Sequence, residues 1–154
     1  MRRLQQTRPM PSPVEEAIVN VLLSGSWVNE QVDRTLIDVG ITHAQYNVLR
    51  ILRGAGPEGL PRCEIACRMI DRAPDVTRLI DRLERRRLVE RGRDHADGRR
   101  SVTRITRAGV VLLQRATTAL EPISTVVGKR LRVSEAEELS RLCEALYGPD
   151  LGPE

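Results

Sequence analysis

The side chains of this sequence that can do recognisable chemistry are arginines, and they are unevenly placed. Between Pro61 and Val110 the chain carries 14 Arg against 8 Asp plus Glu, a local charge of +6, although the whole chain of 154 residues comes only to +4. The remainder is slightly acidic. A guanidinium is a planar, permanently charged fork of donors that fits phosphate oxygens and guanine edges, and basicity focused in one region is the electrostatic footprint of a nucleic-acid face.

Other chemistries lack their residue sets. The two histidines, His43 and His95, stand in no nucleophile arrangement, and there is no glycine-rich phosphate loop and no zinc spacing. No catalytic residue, metal site or cofactor is therefore expected, and the chain reads as something other than an enzyme. Cys63, Cys67 and Cys143 are odd in number and lie in apolar helical patterns, so they read as small hydrophobes packed on helix faces rather than a disulfide framework. A redox-sensing cysteine is the alternative.

The arginines need elements to hold them. In "DRAPDVTRLIDRLERRR", residues 71–87, Val76, Leu79, Ile80 and Leu83 fall on one helical stripe. A helix from Pro74 to Arg86, with Pro74 in its first turn, would turn Thr77, Arg78, Asp81, Arg82 and Arg85 outward. Arg78 and Arg82 can fork onto guanine or phosphate, Thr77 can meet a phosphate oxygen or thymine methyl, and Asp75 can accept from cytosine or cap the helix. Leu88–Arg93 and Ser101–Ile105 pair as a hairpin around "DHADG", which sets Asp97, Arg99 and Arg100 at a charged tip suited to a minor groove or phosphate ridge. Arg and Asp mixed on a helix face are usually only a solvated surface; the basic hairpin and the order of the elements favour the DNA reading.

The flanking segments are helical. Residues 1–12 read as a flexible arm and 148–154 as a tail. Apolar residues recur at helical spacing from Val14 to Val39, with "SGS" at 24–26 as an expected kink or break. Thr42 with Gln45 has capping-box spacing for a helix to about Arg53, and a two-turn helix starts at Arg62. Thr106 caps a helix that Pro122 can bend, and Ser134 with Glu137 is expected to cap the last helix, about Glu135 to Tyr147. No apolar run approaches the roughly 20 residues needed to span a bilayer, so no membrane partner and a cytoplasmic location are expected. The fold class is mainly α with a small β-hairpin wing: a winged helix-turn-helix over about 42–106, flanked by helices at about 13–39 and 107–147, all in one domain at 13–147.

Three stretches, "GITHAQYNVLRIL", "EIACRMIDRAPDVTRLIDRLERRRLVER" and "DHADGRRSVTRITRAGVVLL", resemble the MarR family of regulators over about residues 14–147. The resemblance implies a homodimer on double-stranded DNA with a pseudo-palindromic operator, usually a repressor released by a small aromatic or phenolic effector. It assigns Thr77, Arg78 and Arg82 to recognition-helix contacts and Asp97, Arg99 and Arg100 to the wing, and it points to Trp27, His43, Tyr46 and Arg50 as residues near an effector pocket. Leu131, Leu139, Leu142 and Leu146 would bury against the second copy. One position departs: Arg87 stands where the family commonly has Gly, so the recognition helix must end on a non-Gly residue or end differently. A winged-helix module that binds protein or RNA without sequence-specific DNA binding is the competing reading.

Overall fold

A computed structural model describes residues 10–71, 75–93 and 101–148. Helix α1 (Pro13–Val39) leads into α2 (His43–Ala55), a 3-10 turn (Gly56–Glu58) and the short α3 (Arg62–Cys67). Helix α4 (Val76–Arg85) is followed by the antiparallel pair β1 (Val89–Arg93) and β2 (Ser101–Ile105), then by α5 (Arg107–Gly128) and α6 (Val133–Tyr147). Val89 pairs with Ile105 and Arg93 with Ser101, so the two segments expected to pair do so. Leu60 adds a short third rung through reciprocal backbone bonds to Thr103, 3.0 and 2.8 Å long. This is the mainly helical, winged architecture expected from the sequence.

Packing explains why these segments take these forms. Val76, Leu79, Ile80 and Leu83 of α4 are all buried, and they meet Val48, Leu49 and Leu52 of α2, Ile65 of α3 and Leu112 and Leu113 of α5 in one core. The helical period alone selects that stripe. At the start of α2, Thr42 accepts from the Gln45 amide at 3.2 Å while the Gln45 side chain accepts from the Thr42 amide at 3.1 Å, completing the expected capping box. Thr106 caps α5 by the hydroxyl half of that motif alone, accepting from Gly109 N at 3.1 Å.

Four expectations need correction. Gly25 does not interrupt α1, which runs unbroken through "SGS" because its next turns lie against α5 and that packing outweighs a single helical glycine. Helix α4 spans Val76–Arg85 after an Asp75 cap, shorter than the expected Pro74 to Arg86, and Pro74 lies outside the described residues. The cap of α6 is formed by Glu135, whose carboxylate accepts from the Arg132 amide at 2.8 Å and its guanidinium at 2.7 Å, and not by Ser134 with Glu137. Cys63 and Cys67 are exposed, because the buried side of α3 belongs to Ile65 and both cysteines sit two residues away from it, on the opposite side.

The core is concentrated in the winged lobe and the first half of α5. Among its described residues α6 buries none, and α1 buries only Leu36. Val14, Ile18 and Leu22 of α1 and Leu139, Leu142 and Leu146 of α6 stand exposed.

Candidate nucleic-acid interface

The N-terminus of α4 is built by Asp75. Its carboxylate accepts from the Arg78 amide at 3.1 Å and pairs with the Arg78 guanidinium at 3.1 Å, so the blander of its two expected roles is present in the structure. Thr77, Arg78 and Arg82 are exposed on the side of α4 opposite the core, and Arg85 shares that side with Nε donating to the Asp81 carbonyl at 3.3 Å. Arg82 makes no ion pair among the described residues. Asp97, Arg99 and Arg100 lie, like Pro74, outside the described residues.

The corner between α4 and the wing resolves the question raised by Arg87. Arg87 N donates to Glu84 O at 2.7 Å and Leu88 N to Leu83 O at 3.0 Å, the paired bonds of a Schellman ending, and Arg87 itself takes φ +58°. Helix α1 ends with the same pair of bonds on Gly40, at φ +83°. The arginine therefore does a glycine's work in the left-handed region, where a Cβ costs about 1–2 kcal/mol. Thr106 holds the corner by donating its hydroxyl to Arg87 O at 2.8 Å, and its amide bonds Leu88 O at 3.0 Å. Gly109 allows the close approach: a Cβ there would run into the Leu88 carbonyl oxygen. Arg87→Gly is expected to stabilise the protein by about 1 kcal/mol and raise its melting temperature by roughly 3 °C, as a thermal melt would show.

The wing is fastened on both sides. Arg104 donates to Pro57 O at 2.9 Å and Arg93 O at 3.1 Å, tying β2 to the 3-10 turn and to β1. Arg91 of β1 reaches back to α4, donating to Asp81 and, at 2.8 Å, to Glu84. Its hydrogen bond to Asp81, with the charge of Glu84 beside it, lifts the guanidinium pKa above its already high value.

A short helix, a turn, a second helix with an exposed cationic side and a basic hairpin form a winged helix-turn-helix. The MarR family model matches residues 41–101, from two residues before α2 to the first residue of β2. Over this segment the chain is similar to MarR-family proteins. Similar solved structures extend the likeness over most of the length. A MarR-family transcriptional regulator from Rhodococcus sp. RHA1 is 20% identical with a TM-score of 0.74, covering 91% of this chain and 98% of its own. CouR from Rhodococcus jostii RHA1, bound to p-coumaroyl-CoA, is 21% identical with a TM-score of 0.73 and coverage of 94% and 98%. S. aureus MepR in complex with DNA is 25% identical with a TM-score of 0.70 and coverage of 86% and 96%. No curated protein matches in sequence. The fold of the described residues is the one these solved structures share.

The residues that the MarR resemblance assigns to an effector pocket fall into separate places. Trp27 lines a largely apolar cleft of about 680 Å³ between α1, α5 and α6, with the Arg130 guanidinium 5.1 Å from the centre of its ring. Tyr46 is buried in the core, its hydroxyl 3.5 Å from Thr117 Oγ1, and Arg50 lies 5.9 Å from its ring centre at the edge of a second, smaller cleft. His43, half-buried in the first turn of α2, lines neither cleft. Arg130 was not singled out by sequence, since only the packing of α1 on α5 brings it to Trp27.

Proposed function

We propose that the chain is a dimeric transcriptional regulator that places α4 in the major groove of duplex DNA, with the wing against the adjoining backbone. The observation that carries this reading is the outer side of α4. Thr77, Arg78 and Arg82 stand exposed over a fully buried apolar stripe, on a corner fixed by Arg87, Thr106 and Gly109. Arg78 and Arg82 are suited to base edges or phosphates, with Asp75 as the cap that orders the helix end; Pro74, Asp97, Arg99 and Arg100 complete the proposed contact set.

Dimerisation is supported by the apolar surface left open in a single copy. Leu139 and Leu142 are each about half exposed and Val14 68% exposed, on helices with almost no core of their own. A second copy covering them by two-fold symmetry would set two α4 helices about one DNA turn apart. A small aromatic or phenolic effector is supported by the phenolic acyl thioester bound to CouR, and repression released by it is the mode of regulation proposed with it. Of the four residues expected near an effector, Trp27 is the one that lines the cleft proposed here, while Arg50 edges the smaller cleft and His43 and Tyr46 line neither. Trp27 with Arg130 would take a ring and a negative charge together.

The test is a gel shift with the DNA flanking the protein's own gene across a salt series. Binding is expected to fall by about 10³-fold or more between 50 and 200 mM salt, as releasing counterions from several phosphates requires. Affinity no greater than for unrelated DNA would argue against sequence-specific regulation.

A further inference from the structure

Asp81 and Glu84 are out of place on a helix surface that faces a polyanion. They lie on the flank of α4 that adjoins Thr77, and their side chains keep 41% and 37% of their surface in solvent. Within α4 they set two negative charges against those of Arg78, Arg82 and Arg85. At groove distances such charges act inside the Debye length, about 8 Å at physiological salt, so they are not screened away.

Both are taken up by one residue of the wing. Arg91 Nη2 donates to Asp81 and Arg91 Nη1 donates to Glu84 at 2.8 Å, one guanidinium satisfying two carboxylates three residues apart. That arrangement uses the divided donors of arginine, which an ammonium lacks. The cations of the helix are left out of it: among the described residues Arg78 pairs with Asp75, and the Arg85 side chain bonds the Asp81 backbone carbonyl.

We propose that Arg91 is an internal counter-ion of the recognition helix, neutralising Asp81 and Glu84 so that Thr77, Arg78, Arg82 and Arg85 meet DNA phosphates without an opposing charge. This rests on the DNA reading above. Arg91 is a positioning residue: it acts through the two carboxylates and does not touch the nucleic acid.

Fluorescence anisotropy with a labelled mixed-sequence duplex tests it on four proteins: the natural sequence, Arg91→Ala, Asp81→Asn with Glu84→Gln, and the triple variant. Arg91→Ala is expected to weaken binding on the order of 10-fold, because two carboxylates then face the phosphates uncompensated. The triple variant is expected to return to within about threefold of the natural protein, since the charges that Arg91 masked are gone. A triple variant as weak as Arg91→Ala overturns the proposal, because Arg91 would then be contacting DNA or bracing the wing. So does an Arg91→Ala protein that binds normally. If circular dichroism shows Arg91→Ala unfolded, the double variant decides: binding at least as tight as natural is expected, and weaker binding overturns the counter-ion role. A natural protein that binds no duplex at all removes the DNA reading itself, and this inference with it.

Discussion

Replacing Arg78 and Arg82 together by Ala is expected to lower affinity for the preferred duplex by about 30-fold to 10⁴-fold, the combined loss of two bidentate contacts at roughly 1–3 kcal/mol each. Both side chains stand in solvent and neither belongs to the core. Arg78 gives up one exposed pair with Asp75, but Asp75 keeps its bond to the residue 78 amide, so the helix stays capped. Stability should therefore move by no more than about 0.5 kcal/mol, and the loss of binding would not be a loss of folding. Anisotropy on the preferred duplex and on a scrambled one separates the contributions. A larger fall on the preferred duplex means that the arginines read bases. An equal fall on both means that they hold phosphates only.

Leu83→Ala should have the opposite profile. Leu83 has no exposed surface and sits in the cluster that joins α4 to α2, α3 and α5, beside Leu49, Leu52, Ile65 and Ile80. Removing its branched end from such a site costs about 3 kcal/mol, with 2–5 the usual range, because lost burial and an unfilled cavity add. Urea unfolding would show the midpoint fall with an unchanged slope. The position matters beyond stability: the Leu83 carbonyl accepts from Leu88 in the Schellman ending, so loosening it loosens the corner from which the wing departs. An unchanged midpoint would contradict the claim that this stripe holds α4 in place.

The features that were legible in the sequence are those set by local periodicity or by a short-range hydrogen bond. The inward stripe of α4 follows from its spacing of apolar residues, and the caps at Thr42 and Thr106 follow from a hydroxyl at the right offset from an open amide. Local rules fail where two local solutions compete. Ser134 with Glu137 and Arg132 with Glu135 have the same spacing, and the second prevails because α6 already begins at Val133. Helical spacing also placed Cys63 and Cys67 together on α3 without showing that Ile65 takes the buried side.

Contacts between distant elements were not legible at all. Arg91 finds Asp81 and Glu84 only because the wing folds back on α4, and Arg130 finds Trp27 only because α5 lies along α1. Arg87 falls between these cases. Its departure from the expected glycine was visible, but its left-handed backbone was not, because the strain there is held by bonds arriving from Leu88 and Thr106.

The central claim is that two copies of this chain read duplex DNA with α4, and selection of preferred sequences from a random duplex pool tests it most directly. The expected result is enrichment of a two-fold symmetric site whose half-sites lie about one helical turn apart, roughly 34 Å, with the enrichment lost in the Arg78→Ala and Arg82→Ala double variant. A pool that stays random, or a single asymmetric element that the double variant enriches equally well, would contradict it.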